Sequence, residues 1–320
     1  MKNIIFINTF LFVLVFQSFA QKGYVVDNKG NIIPYVNISF IDDNGNFLGW
    51  TTGKDGAFRI ANQVLSNTDS LTISCIGYFV KTLPLSVLIE NEENVIVLES
   101  KNYNIAEVTV TDAKIKTTTK TFGTFKNKSD AGGYFPLWNE IALFIPNKEK
   151  KAGYLKNVKI KLVNAVKSEL ELRIHVYSAC VDKYGPQQEL LKESVLANSK
   201  NIQSKWVVID IEKYKVVFPK EGLFIGFEFL PPDGLNIMDT KQRCIIMKTD
   251  NNKPLRVQRG FVHKNDKCYT WIRYFQTKTI KNLDTVFEGG KWYFEGDKGC
   301  YFPKIGLTNV IMSTDVIFYK

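Results

Sequence analysis

One short stretch constrains the fold of the first third of this chain more than any other feature. It reads Gly49-Trp-Thr-Thr-Gly-Lys-Asp-Gly-Ala-Phe58, in which two threonines favour extended backbone and lead into a turn. The turn residues Gly53, Asp55 and Gly56 suit a tight reversal, because glycine adopts positive φ angles without steric penalty. The pattern predicts a β-hairpin whose second strand begins at Ala57.

Two further turns of the same kind precede this stretch, at Asp27-Asn-Lys-Gly30 and Asp42-Asp-Asn-Gly45. Short segments with strand-like alternation lie between and after the turns, as in Val36, Ile38 and Phe40. The predicted strands are 23–27, 35–41, 47–52, 57–60, 70–76, 94–98 and 105–111. Seven short strands with turn-rich joints leave no room for a crossover helix, so we expect a small antiparallel β-sandwich over residues 21–111.

The same residues resemble a known domain. The segments Gly23-Tyr-Val-Val-Asp-Asn-Lys-Gly30, Ile33-Pro-Tyr-Val-Asn-Ile38 and Leu71-Thr-Ile-Ser-Cys-Ile-Gly-Tyr78, with the 49–58 stretch, are similar to the carboxypeptidase regulatory-like, or peptidase-associated, domain. The resemblance implies a transthyretin-like fold. In Gram-negative bacteria such a domain, ending in a stretch like 105–111, precedes TonB-dependent outer-membrane receptors and stands at the front of many exported two-domain proteins.

The positions that carry the resemblance have structural explanations. Gly30, Gly53 and Gly56 serve turns, while Val36 and Phe58 serve the core, and none is a catalytic group. We do not expect a receptor, because a plug and a large barrel would need several hundred residues after the domain. The resemblance therefore implies a non-catalytic front domain on an exported protein.

The N-terminus has the pattern of a secretory signal peptide. Lys2 is followed by a nearly unbroken apolar run from residue 4 to 19, and small residues stand at Ser18 and Ala20. An uncleaved anchor helix, the alternative, needs roughly 20 apolar residues. We expect residues 1–20 to be removed and the protein to reach the periplasm, the outer membrane or the cell surface. No second long apolar run follows, so no transmembrane segment is expected in the mature chain.

A polar segment at 112–120 is predicted to be a linker, and residues 121–320 a second domain. The alternation of Leu172, Ile174 and Val176 with Arg173 and His175 is typical of a strand with one buried face. The predicted strands are 140–145, 154–163, 169–178, 190–196, 205–211, 214–218, 223–230, 244–248, 268–275, 291–294 and 305–312. Their number and the absence of long helical patterns favour a larger, jelly-roll-like β-sandwich in an all-β protein.

The net charge of +10 and the pI of about 9.1 allow an anionic partner. The lysines alternate with apolar residues, as in Lys156, Lys159 and Lys161, which is typical of the solvated face of strands. No nucleic-acid recognition motif accompanies them. The expected partner is an envelope protein or an anionic or neutral glycan, and nucleic acid is not expected.

Five cysteines occur, and no two have the spacing of a metal-binding pair. Cys75 alternates with Leu71 and Ile73 and is predicted to be a core residue. The other four either form disulfides in the oxidising compartment or are buried thiols. These four are Cys180, Cys244, Cys268 and Cys300.

Motifs for chemistry are missing from the sequence. It has no Gly-x-Ser-x-Gly elbow, no His-Glu-x-x-His, no phosphate loop and no Cys-x-x-Cys. His175 is predicted to be a surface or edge residue, and His263 has no evident metal partners. We therefore expect no catalytic residue, no metal and no cofactor. A carboxylate pair such as Asp210 and Glu228 could serve a glycosidase, so a hydrolase remains an alternative hypothesis.

Aromatic residues are the most distinctive side chains of the second domain. Tyr269, Trp271, Trp292 and Tyr293 could form a stacking platform for a sugar or peptide, or they could belong to the sandwich core. Three hypotheses follow. The favoured one is a non-catalytic binding or assembly module of the cell envelope, the second is a carbohydrate-binding protein of a glycan-utilisation system, and the third is a hydrolase without a recognisable motif.

Overall fold

The predicted all-β class is confirmed by a computed structural model. Within the ranges that it describes, regular structure consists of β-strands and two one-turn 3-10 helices, Leu85–Val87 and Glu212–Tyr214. Residues 1–19, which include most of the predicted signal peptide, lie outside these ranges. The described residues are 20–61, 66, 68–89, 92–101, 116–124, 129–134, 139–163, 171–180, 185–198, 205–230, 256–261, 268–274, 278–280, 285–287, 290–294 and 308–319.

The first domain is a sandwich of two small sheets. Its strands are β1 (Ala20–Asp27), β2 (Asn37–Ile41), β3 (Phe47–Thr51), β4 (Ala57–Ala61), β5 (Ser70–Ser74), β6 (Lys81–Pro84) and β7 (Glu93–Leu98). One sheet has the order β4-β1-β7 and the other has the order β3-β2-β5-β6. Apolar residues from both sheets, among them Val25, Ile38, Phe58 and Leu71, pack into one core, and Cys75 is buried with them as predicted.

The predicted turn at Gly53 to Gly56 forms, but it does not close a hairpin. The Gly56 N–H donates to the Gly53 carbonyl at 3.0 Å, and Asp55 Oδ1 accepts from the Ala57 N–H at 3.0 Å. Gly56 has a positive φ of +66°. However, β3 pairs with β2 and β4 pairs with β1, so the turn carries the chain from one sheet to the other. Trp50 and Phe58 thereby face the same core from opposite sides.

Two other details of the first domain differ from the expectation. β6 was not predicted, because Leu83 is its single buried residue and the strand has no clear alternation. The sheet is not purely antiparallel, since β1 and β7 pair in parallel. The predicted strand 105–111 lies outside the described residues. The turns at Gly30 and Gly45 form as predicted, with φ angles of +83° and +77°.

The second domain is built mainly from two larger sheets. Its strands are β8 (Thr117–Gly123), β9 (Ser129–Tyr134), β10 (Glu140–Ile145), β11 (Gly153–Val163), β12 (Glu171–Ser178), β13 (Val195–Asn198), β14 (Trp206–Asp210), β15 (Val217–Phe218), β16 (Leu223–Phe229), β17 (Arg256–Phe261), β18 (Tyr269–Arg273), β19 (Lys278–Ile280), β20 (Thr285–Phe287), β21 (Trp292–Phe294), β22 (Thr308–Val310) and β23 (Met312–Tyr319).

One of these sheets has six strands in the order β13-β12-β16-β10-β18-β21. The other has the order β22-β17-β11-β23-β8, with β14 and β15 beside β11 and β9 beside β17. Leu172, Ile174 and Ile225 of the first sheet share a core with Leu155 and Val158 of the second, so the two sheets form the expected sandwich.

The segment predicted as a linker is partly a strand. Residues 117–120 begin β8, which pairs with β23 at the margin of the larger sheet. Its polar side chains are largely exposed, and Phe122 is its one buried residue. A strand that buries a single side chain carries almost no periodic signal, which is why the sequence pattern indicated a linker.

The turn at Gly56 offers a stability test with an internal control. A Cβ at Gly56 would lie 2.8 Å from the carbonyl oxygen of Ile33, whereas a Cβ at Gly30 would meet nothing within 4 Å. We expect Gly30→Val to lower the free energy of unfolding by about 1 kcal/mol, from backbone strain alone. Gly56→Val adds a backbone clash and should lower it by about 3 kcal/mol. Urea denaturation of the whole chain measures both, and equal effects would contradict the assigned geometry.

Candidate functional site

A row of four charged residues crosses the six-stranded sheet on the side away from the sandwich core. The strand registers place Arg173 of β12 opposite Glu228 of β16, Glu228 opposite Glu140 of β10, and Glu140 opposite Arg273 of β18. Directly paired residues project from the same face of a sheet. We call these four residues the charged row.

Three members of the charged row are almost completely enclosed, and the fourth, Arg273, keeps 29% of its side chain exposed. Arg173 is 0% exposed, and Glu140 and Glu228 are each 2% exposed. Arg173 Nε lies 3.1 Å from Glu228 Oε1, and Arg273 Nη2 donates to Glu140 Oε2. The two carboxylates stand side by side, so each relies on the arginine at its own end of the row.

His175 lies beside Glu228 and links it to a further carboxylate, Glu189. Its Nε2 is 3.3 Å from Glu228 Oε1, and its Nδ1 is 2.8 Å from Glu189 Oε2. The other oxygen of Glu189 accepts backbone N–H groups of Val176 at 3.0 Å and Leu191 at 3.1 Å, which fixes that carboxylate in place. The expectation that His175 is a surface or edge residue is therefore wrong.

The local sequence of β16 makes room for this arrangement. Gly226 pairs with His175 across the sheet, and a Cβ on Gly226 would lie 3.0 Å from Glu140 Oε1 and 3.4 Å from the Cβ of His175. A larger side chain would push these two groups apart. Glu228 itself lies in a strand whose seven residues are all buried. A glutamate within such an apolar strand was the sequence signal that could have revealed the charged row.

The surrounding charges fix the protonation states of His175 and Glu228. Burial alone lowers the pKa of His175, but the charge of Glu140 and the hydrogen bonds to Glu189 and Glu228 outweigh it and raise the pKa from 6.5 to about 10. Burial alone raises the pKa of Glu228, but Arg173 and then His175 outweigh it and lower the pKa from 4.5 to about 2. At neutral pH, His175 is a cation and Glu228 an anion.

Aromatic side chains continue the same face beyond the charged row. Trp292 is paired with Arg273, and Phe294 with Trp271. The Arg273 guanidinium lies 5.0 Å from the centroid of the Trp292 ring, and the rings of Tyr177 and Trp292 form a T-shaped pair with centroids 5.6 Å apart. We call Tyr269, Trp271, Trp292 and Phe294 the aromatic strip.

The predicted ligand-binding residues do not all share a face. Tyr269, Trp271 and Trp292 belong to the aromatic strip, whereas Tyr293 points to the opposite side and packs on Tyr274 at the sandwich core. Tyr269 is 42% exposed, Trp292 is partly buried and Trp271 is buried against neighbouring rings. Tyr293 is therefore not part of the predicted platform. The ligand-binding role of the other three residues stays a prediction.

The remaining predicted residues are placed as follows. Cys180 is exposed and Cys268 is buried, while Cys244 and Cys300 lie outside the described residues, so the disulfide remains a prediction. Asp210 is exposed on β14 of the larger sheet, and Glu228 belongs to the other sheet.

The described ranges show neither a candidate metal site nor a candidate membrane-spanning helix. They contain no group of three or more histidine, cysteine, aspartate or glutamate residues arranged to hold a metal ion, and His263 falls outside them. The same part of the chain contains no helix long and apolar enough to cross a membrane.

Comparison with protein families identifies the first domain. Residues 21–110 match the CarboxypepD_reg-like domain. The resemblance found in the sequence is thus confirmed for the N-terminal domain. The match ends before β8, so the CarboxypepD_reg-like domain corresponds to the first sandwich and the charged row lies beyond it.

The other comparisons add little. No curated protein matches the chain. One matching solved structure is that of BcpA, the major pilin subunit of Bacillus cereus, with 14% sequence identity. The match covers 86% of this chain and 68% of that chain, with a TM-score of 0.17, and it carries no argument about fold or function.

The shifted pKa values predict how stability depends on pH. The pKa of His175 is raised in the folded state. Its contribution to stability is therefore complete below pH 6.5 and is lost as the pH rises through about 10. The pKa of Glu228 is lowered, so its contribution is complete above 4.5 and is lost as the pH falls through about 2. Both contributions to stability are therefore complete between pH 4.5 and pH 6.5.

Thermal unfolding between pH 6 and pH 10 measures the loss of stability at alkaline pH. We expect the wild type to lose on the order of a few kcal/mol over this interval, and the loss attributable to His175 to vanish in His175→Gln. The only other histidine provides the control, because His263→Gln should retain the wild-type slope. Equal slopes in wild type and His175→Gln would contradict the protonated state assigned to His175.

Proposed function

We propose that this protein is an exported, non-catalytic module of the cell envelope that binds or assembles with another envelope component. The observation that carries the proposal is the fixed protonation of the buried charged residues. His175, with a pKa of about 10, and Glu228, with a pKa of about 2, are the residues that most resemble an acid–base pair.

Acid–base catalysis works best when the pKa of the catalytic group lies near the working pH. Near neutral pH, His175 has no free nitrogen to accept a proton, and Glu228 has no proton to donate. Both are also engaged with their neighbours, and both are enclosed. This chemistry supports a stabilising role for the cluster and stands against the hydrolase hypothesis.

The first domain supports the same proposal. The positions that it shares with CarboxypepD_reg-like domains form turns and core, and Gly30, Gly56 and Phe58 occupy such places here. None of these side chains is a nucleophile, acid or base. Location in the periplasm, at the outer membrane or on the cell surface is part of the proposal, supported by the signal-like residues 1–20.

A carbohydrate-binding role is the second candidate, favoured by the aromatic strip. Tyr269 is exposed at the end of the strip, and the Trp292 ring lies beside a guanidinium, an arrangement that suits stacking against a sugar ring. Because Arg273 is already paired with Glu140, its charge is largely neutralised. A neutral glycan therefore suits the strip better than an anionic one.

The binding proposal predicts a specific effect of Tyr269. Pull-down from envelope extracts identifies a protein partner, and a glycan array identifies a sugar. Tyr269→Ala should weaken binding to either by about tenfold, since a stacked ring contributes roughly 1–2 kcal/mol. Tyr319→Ala is the matched control, because Tyr319 is similarly exposed, at 40%, but lies on the other sheet.

Two outcomes would contradict this proposal. The first is equal binding by Tyr269→Ala and Tyr319→Ala, which would exclude the aromatic strip as the contact surface. The second is turnover of a glycosidic, ester or peptide substrate that survives purification and disappears in a folded Glu140→Gln variant, which would establish a hydrolase.

Export makes a separate prediction. Cleavage after Ala20 should leave Gln21 as the first residue of the mature protein, because Ser18 and Ala20 occupy the small-residue positions that signal peptidase recognises. N-terminal sequencing of protein from the envelope fraction checks this. A chain that starts at Met1 and stays in the cytoplasm would exclude export.

A further inference from the structure

Tyr35 of the first domain has an unusual backbone conformation at the boundary with the second domain. Its φ is +54° although it is not glycine, and its side chain is 2% exposed. Bulky residues rarely adopt this conformation unless the surroundings hold them there. Here the Tyr35 carbonyl accepts a hydrogen bond from Arg173 Nη2, and the Tyr35 hydroxyl donates to Glu171 Oε2.

A second contact between the domains lies near Gly77. This residue has a φ of +90°, and a Cβ there would come within 2.5 Å of the Lys192 carbonyl oxygen. On one side of Gly77, Ile76 packs against the core of the second domain. Cys75 Sγ lies 3.8 Å from Ser194 Oγ. The two backbones therefore approach so closely that only glycine fits between them.

A third contact lies near the aromatic strip. The ring of Phe47 on β3 reaches Gly290, where a Cβ would be 3.5 Å from the ring. The three contacts involve Tyr35, Gly77 and Phe47, which belong to different parts of the first domain. A domain held at three separate points cannot rotate about any one of them.

Enclosure of the charged row also depends on the first domain. Arg173 is 0% exposed, and Tyr35 supplies the acceptor for one of its guanidinium nitrogens. If the first domain moved away, that nitrogen would lose its acceptor and one end of the charged row would be uncovered. A buried charge is stable only while its partners remain in place.

We propose that the surface formed by Glu171, Arg173 and residues 192–194 is a permanent docking site for the first domain, so that the two domains act as one body. A CarboxypepD_reg-like domain on a flexible tether would not need any of these contacts. The partner of this surface is the first domain of the same chain. A component bound at the aromatic strip is therefore held in a fixed position relative to the first domain.

Cutting the folded chain between the domains tests the proposal. A protease site is inserted between residues 101 and 116 of the full chain, and the cut protein is passed through gel filtration at about micromolar concentration. We expect the two halves to elute together at the mass of one chain. Separation of the wild-type halves would overturn the proposal, and elution at the mass of two chains would show docking between copies instead.

Paired variants locate the docking site. Gly77→Arg should separate the cut halves, because the arginine must displace the Lys192 backbone. Gly45→Arg is the matched control, since Gly45 has a similar φ of +77° and open space around its Cβ position, and its halves should stay together. Equal behaviour of these two variants would overturn the proposal.

A milder pair covers the case in which Gly77→Arg does not fold. Tyr35→Phe removes only the hydroxyl that donates to Glu171, and it should raise the concentration at which the halves separate by about tenfold. Tyr24→Phe is its control, because Tyr24 lies on β1 and interacts with Glu93 of the same domain. No difference between these two variants would overturn the assignment of Tyr35.

Discussion

The balance of charge among buried and partly buried side chains is the constraint on which the second domain depends. Three cations, Arg173, His175 and Arg273, face the carboxylates of Glu140, Glu189 and Glu228. Glu140 and Glu228 lie side by side. Desolvation of an unpaired charge is costly, so removing any one member leaves another uncompensated. The arrangement explains why β16 has a glycine beside the histidine. It also explains why the histidine stays protonated well above its ordinary pKa.

The two faces of the six-stranded sheet differ in chemistry and in how far they are buried. Its inner face, with Leu172 and Ile174, contributes to an ordinary apolar core, whereas its outer face carries the charged row and then the aromatic strip. The first domain covers one end of that outer face through Tyr35. The chain is therefore better described as a sandwich completed by its front domain than as two independent modules. A rigid body of this kind suits a component that binds or assembles.

Sequence patterns predicted elements well where burial alone sets the pattern, and poorly elsewhere. Apart from Glu140 and Glu228, β10 and β16 are apolar runs, and β11 alternates, so all three were predicted near their observed bounds. The turn at Gly53 was predicted, but turn chemistry does not determine which strands pair, and the hairpin was wrong. His175 was misplaced because a polar face covered by another surface has the same alternation as one exposed to water. The contact between Tyr35 and Arg173, 138 positions apart, leaves no local signal.

The protonation of His175 is the most direct test of the central claim, because the charge balance and the argument against acid–base catalysis both rest on it. Nitrogen-detected NMR of selectively labelled histidine in the folded chain at pH 8 distinguishes the two states. The result expected is an imidazolium signal for His175, with both ring nitrogens protonated, assigned by its absence in His175→Gln. A neutral imidazole with one unprotonated nitrogen at that pH would contradict the claim.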